Sequence, residues 1–199
     1  SDVCSSDLIM ASLIESVYFG DESYPDQQNA IFVWLSDSPQ LNEQSKQKID
    51  LKADKIRLDQ CVTITEETFD REVLDDGHIY FLNTQKLGKS SNLTKHSDTR
   101  QYTIWETLAN TAREKSDRLY LIIDEAHRGY NPKGSFLANL FDADENSIKI
   151  ALTGTPLLAD ERESWKVFGS YFHTYYYDKS IQDGYTLKII REDIETKYK

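Results

Sequence analysis

Two carboxylates and an imidazole stand in one tetrapeptide, Asp124-Glu125-Ala126-His127, directly after the apolar run Leu119-Tyr120-Leu121-Ile122-Ile123. A carboxylate that closes such a run is fixed at the end of a buried strand, and in an open parallel sheet ligands gather beyond the carboxyl ends of the strands. Magnesium takes oxygen ligands and keeps much of its water, so Asp124 can hold Mg²⁺, through water, against nucleotide phosphates. Glu125, turned towards those phosphates, can orient and deprotonate a water attacking the γ-phosphate in line. His127 lies close enough to contact the nucleotide and sense that event. The plainer alternative is a capping Asp-Glu pair at a strand-to-loop junction with a surface His. A metal hydrolase built on Asp124, Glu125 and His127 is disfavoured because no second ligand cluster stands out.

The elements that must position this tetrapeptide follow from hydrophobic patterning. A short apolar helix spans Ile9 to Val17, and Ala30 to Leu35 is too continuously apolar to be half exposed, so it reads as a central strand. A polar helix with Leu41, Ile49 and Leu51 runs towards Ala53, followed by strands over Cys61 to Thr65 and His78 to Leu82. A polar loop over residues 86 to 100 leads into a helix from Ile104 to Lys115 with Ile104, Leu108 and Ala112 on its apolar face. Leu119 to Ile123 is the strongest strand. A short helix over Phe136 to Phe141 and a strand over Ile148 to Leu152 come next, the latter ending in Thr153-Gly154-Thr155-Pro156. Strands alternating with helices imply an α/β domain with a doubly wound, mostly parallel sheet. The aromatic cluster Phe168, Tyr171, Phe172, Tyr175, Tyr176 and Tyr177 reads as packed core or an inter-domain face in preference to a base-stacking platform. Thr186 to Ile190 is strand-like.

The 199 residues suffice for one domain with a proper core. With 23 Lys+Arg against 34 Asp+Glu, the net charge of −11 excludes a module that holds nucleic acid by bulk electrostatics, so any such contact is local. Two cysteines, Cys4 and Cys61, offer neither a disulfide framework nor a metal cage. A cytoplasmic protein with no membrane partner is the expectation, since no long apolar run and no secretory signal appear.

Leu121-Ile122-Ile123-Asp124-Glu125-Ala126-His127-Arg128, followed by Ala151-Leu152-Thr153-Gly154-Thr155-Pro156, resembles motifs II and III of superfamily-two DEAD/DEAH-box helicases and translocases. Arg after the His, together with Thr-Gly-Thr-Pro, is similar to the R (restriction) subunits of type I and type III restriction enzymes. The tail segments Phe168-Gly169, His173-Thr174-Tyr175 and Ile181-Gln182-Asp183-Gly184 extend that likeness to type I. Upstream, Ile31 to Gln44 looks like motif Ia, and Ile79 to Leu87 like the next nucleic-acid-contacting motif. The resemblance implies the RecA-like first domain of a two-domain motor, with ATP and Mg²⁺ as cofactors and Asp124 and Glu125 as catalytic groups. Thr153, Gly154 and Thr155 would couple hydrolysis to domain movement. Ser36, Ser38, Thr84 and Gln85 would touch the DNA backbone, which carries no sequence information. Specificity and modification subunits of a restriction system are the implied partners. An inactive motor-like scaffold and an RNA helicase domain are the rivals.

The family's glycine-rich phosphate loop is not found between Ile9 and Tyr198. Gly88-Lys89-Ser90 imitates its end, but Asn83 stands where an earlier glycine is required. Asp183, Glu195 and Lys197 sketch a nuclease triplet of a kind common in charged tails. Residues 1–8 match a sequencing adapter read in frame, so the fold is expected to start at Ile9 and the natural protein to extend upstream. Residues 9–178 are then the RecA-like domain without its phosphate loop, and 179–199 start a linker towards a second motor domain. Such a fragment is expected to hydrolyse ATP poorly, if at all, by itself.

Overall fold

The computed structural model describes residues 5–36, 43, 46–47, 49, 53, 55–87, 91–124, 146–153 and 170–184. Its described elements are α1 (Ser5–Phe19), β1 (Ile31–Ser36), β2 (Cys61–Thr63), β3 (Ile79–Asn83), α2 (Ile104–Lys115), β4 (Leu119–Ile123), β5 (Ile148–Ala151) and α3 (Tyr177–Gln182). The strands form one five-stranded sheet in the order β2-β3-β1-β4-β5, and every pairing is parallel. The chain is therefore an α/β domain of the RecA-like, doubly wound kind.

β1 lies at the centre, and all six of its residues are buried, which is why its run is continuously apolar and does not alternate. Side chains leave a strand alternately to its two faces. Ile31, Val33 and Leu35 join Tyr80, Leu82, Leu121, Ile123 and the Ile104, Leu108 and Ala112 stripe of α2 on one face. Phe32 and Trp34 join Phe81, Ile122 and the Met10, Ile14 and Tyr18 stripe of α1 on the other, with Ile49, Ala53 and Ile56. Phe32 stacks on Tyr120 at 4.9 Å and Trp34 on Phe81 at 5.8 Å between ring centroids.

The boundaries of α2 and β4 coincide with the sequence reading. The ladders of β1 and β3 run one residue further, to Ser36 and Asn83, because those polar residues pair with each other across the strands. β2 stops at Thr63. The Thr65 hydroxyl turns instead to that of Thr68, 2.8 Å away, closing a turn. α1 starts at Ser5, so it takes in part of the segment set apart as 1–8. The helix expected over Phe136 to Phe141 and the strand-like Thr186 to Ile190 lie outside the described residues. Tyr171, Phe172, Tyr175 and Tyr176 are exposed, which sets aside the packed-core form of the expectation and leaves the inter-domain face open.

Candidate functional site

Connectivity singles out one end of the sheet. After β1 the chain goes to β2 on one side, whereas after β4 it goes to β5 on the other. Neighbouring strands whose connections part in this way open a crevice outside their carboxyl ends. Ser36 ends β1 and Asp124 follows β4. Leu35 pairs with Ile123, and the Asp124 N–H donates to the Leu35 carbonyl at 2.9 Å, so the two residues leave the sheet side by side. Asn83 is paired with Ser36 from the other side. Three oxygen-bearing side chains thus stand abreast at the ends of three adjacent strands.

Their burial differs in a way that bears on their roles. Ser36 and Asn83 are buried, and Asp124 is half-buried at the edge of the crevice. Asn83 accepts the Gln85 N–H at 2.8 Å on its side-chain oxygen, an Asx turn that fixes the chain where it leaves β3. Thr84 is then half-buried and Gln85 exposed at the root of the connection to α2. Sequence reading placed the contact candidates at Thr84 and Gln85 and missed Asn83 as their anchor. The available signal was an Asn directly after an apolar strand and before a Thr. On the other side of Asp124, the Leu152 N–H donates to the Ile123 carbonyl at 2.9 Å, which brings the half-buried Thr153 to the same rim.

Of the residues singled out by sequence, the structure brings together Ser36, Thr84, Gln85, Asp124 and Thr153 at the carboxyl end of the sheet. Ser38, Glu125, His127, Gly154 and Thr155 lie outside the described residues, as do Gly88-Lys89-Ser90, Glu195 and Lys197. Asp183 stands at the end of α3, where its carboxylate accepts the Tyr175 hydroxyl at 2.9 Å and faces Lys179 at 3.1 Å.

The donor set suits magnesium. Asp124 offers a carboxylate on a rigid strand end, with the hydroxyl-bearing Ser36 beside it, and such hard oxygen ligands are what Mg²⁺ takes while keeping water. Among the described residues no group of three His, Cys, Asp or Glu side chains converges. Further along the rim the Glu67 carboxyl is held below its usual range, chiefly by its own backbone N–H and the Thr65 hydroxyl, with the Lys86 charge adding to the effect. The rim thus carries hydroxyls and amides between the Asp124 carboxylate and the charges of Glu67 and Lys86. Among the described residues no helix is long and apolar enough to cross a membrane.

A sequence model of the SWI2/SNF2 ATPase family matches residues 8–199. Among curated proteins, the chain is 33% identical to the type I restriction enzyme HindI endonuclease subunit of Haemophilus influenzae, over 39% of this chain and 8% of that protein. It is 32% identical to the type I restriction enzyme EcoAI endonuclease subunit of Escherichia coli, over 38% of this chain and 10% of that protein. The matched stretch is about a tenth of those relatives' length. No solved structure matches the chain.

Proposed function

The chain belongs to the SWI2/SNF2 ATPase family, and from that premise we propose that it is part of an ATP-driven DNA translocase, within the R subunit of a type I restriction system. The observation that carries the reading is the meeting of Ser36 and Asp124 at the point where the connections of β1 and β4 part. Curated relatives named as type I restriction endonuclease subunits supply the restriction context.

In this reading Asp124 holds its carboxylate still because its own N–H is tied to Leu35, so the site is formed before the nucleotide arrives. Bound Mg·ATP supplies the phosphoanhydride bond that is broken and the cation that offsets its charge. Glu125, next in the chain, accepts the proton of the attacking water and aligns it with the γ-phosphate. His127 contacts the nucleotide. Thr153, Gly154 and Thr155 follow β5, hydrogen-bonded neighbour of β4, so a shift at Asp124 reaches them through one strand pairing. Ser38, Thr84 and Gln85 meet the DNA backbone with neutral donors, which reads position and not sequence, whereas Ser36, expected there too, is buried where β1 ends and stands behind that surface.

The deciding experiment measures ATP turnover by the full-length natural protein with duplex DNA, single-stranded DNA and RNA. Stimulation by duplex DNA, lost in Glu125→Gln while nucleotide binding persists, is the expected result. Stimulation by RNA alone would make this an RNA helicase domain. Undiminished turnover in Glu125→Gln would remove Glu125 from the mechanism, and no turnover with any polymer would leave a motor-like scaffold.

A further inference from the structure

Thr84 and Gln85 sit at the root of a long connection from Asn83 to α2, and a loop site holds its geometry only if its surroundings do. The connection is held by an unusual residue. Arg100 is only 6% exposed, whereas arginines are seldom so buried without a partner. Its guanidinium donates to the main-chain carbonyls of Phe69 and Glu66. Both carbonyls belong to the other rim connection, the one that follows β2.

The contacts run in both directions. The Asp70 carboxylate accepts the backbone N–H of Gln101 at 3.0 and 3.1 Å and that of Tyr102 at 2.9 Å. Those two N–H groups hold the Asp70 carboxyl below its usual range, and the Arg100 charge lowers it further. The Glu66 carboxylate accepts from the Ser91 hydroxyl at 3.0 Å and the Asn92 amide at 3.2 Å. A planar fork that reaches two carbonyls three residues apart is a task lysine cannot reproduce.

α2 has fastenings of its own besides this clasp. Thr107 and Asn110 donate to the carbonyls of Arg71 and Glu72, the Thr111 hydroxyl accepts the Leu74 N–H at 2.9 Å, and Lys115 donates to the Leu74 carbonyl at 2.8 Å. The second half of the β2–β3 connection is thus fastened along α2 by other groups. Arg100 fastens its first half, the half that shares the rim with Thr84 and Gln85.

We propose that Arg100 is a positioning residue for the DNA-contacting rim: its clasp makes the connections after β2 and β3 leave the sheet as one block, so that Thr84 and Gln85 present a fixed surface to the nucleic-acid backbone. The proposal rests on the reading above that Thr84 and Gln85 touch DNA.

The test combines fluorescence anisotropy of a labelled duplex with hydrogen exchange on the full chain, comparing Arg100→Lys, Asp70→Asn and the double variant Thr84→Ala/Gln85→Ala. The double variant should weaken DNA binding without altering exchange in the β1 and β4 amides. Arg100→Lys should weaken it about tenfold, the scale of one charge-assisted hydrogen bond lost from a buried site, with faster exchange confined to residues 64–70 and 91–102. Asp70→Asn, which opens the clasp from its exposed side, should do the same about threefold, and it decides the matter if Arg100→Lys does not fold. Unchanged DNA binding in Arg100→Lys and Asp70→Asn, with the double variant impaired, overturns the proposal alone. Faster exchange spread through β1 and β4 overturns it in favour of a general stabilising role. An unimpaired double variant overturns the underlying reading of the rim.

Discussion

Asp76 and Tyr18 illustrate two opposite fates for a polar group in this fold. The Asp76 carboxylate, near the amino end of β3, receives Lys115 Nζ at 2.9 Å and Arg118 Nε at 3.2 Å. Burial would raise its pKa, but the hydrogen bonds and charges of Lys115 and Arg118 outweigh that and hold it below the usual value. A depressed carboxyl contributes stability that is present above the unfolded-state pKa, about 3.9, and is lost as pH falls through the lower folded value. Asp76→Asn should therefore cost about 1 kcal/mol at neutral pH, with solvent screening of this partly exposed carboxylate included, and nothing in strong acid. Denaturant midpoints at pH 7 and at low pH check this, and an equal loss at both would contradict it. The Tyr18 hydroxyl is buried with no hydrogen-bond partner among the described residues. Burial first, then the proximity of Cys61 and Tyr80, push its pKa well above the ordinary phenol value. Removing an unsatisfied buried group relieves its desolvation cost, so Tyr18→Phe should be neutral or stabilising by up to about 1 kcal/mol. A clear drop in the urea midpoint would show that the hydroxyl is bonded after all.

At the scale of elements, α2 is held at its start by a reciprocal cap. The Thr103 hydroxyl accepts the Glu106 N–H at 3.2 Å, and the Glu106 carboxylate accepts the Thr103 N–H at 2.8 Å. Thr103→Ala removes the hydroxyl side of that exchange while leaving the backbone N–H of residue 103 to the Glu106 carboxylate, and should cost about 1 kcal/mol, read from thermal or denaturant unfolding. The Glu106 carboxyl is held low chiefly by the Thr103 N–H, so its share of the cap is present above about pH 4.3 and is lost on acidification below it. α2 was legible in the sequence from the spacing of Ile104, Leu108 and Ala112 on one face. The Thr103 and Glu106 pair that fixes its start was a further signal left unread. β1 and β4 were legible because continuous apolar runs admit few alternatives. Ser36 and Asn83 were not legible as ladder residues, since their burial comes from pairing across strands and not from their own polarity. The clasp of Arg100 and Asp70 was hidden for a related reason: its partners lie about thirty positions apart in a polar loop with no periodicity. The aromatics Tyr171, Phe172, Tyr175 and Tyr176 were legible as a patch but not as core or face, because aromatic content marks a patch without saying what covers it.

At the scale of the whole molecule, the charge balance constrains how DNA can be held. Thirty-four acidic against twenty-three basic residues give this chain a net −11, so its long-range field repels a polyanion, and in the proposed reading attraction comes from close contacts at the rim. The rim residues Thr84 and Gln85 carry a hydroxyl and an amide, groups that bond phosphate oxygens without displacing the counterions that lysine or arginine would. The number of counterions released sets the slope of log affinity against log salt, about 0.9 for each phosphate neutralised on duplex DNA. With Lys86 and Lys89 the nearest cations to Thr84 and Gln85 in the chain, the slope should be shallow, about −1 to −2, where a module gripping the duplex with many cations reaches about −6 or steeper. Anisotropy titrations of a labelled duplex across a range of salt concentrations measure it directly. Lys86→Gln should then make the slope shallower by about one while leaving most of the affinity at high salt, because the neutral donors remain. A slope steeper than about −5 would place the main contact on a basic surface away from Ser36, Thr84 and Gln85, and the strand-end rim would lose its role in holding DNA.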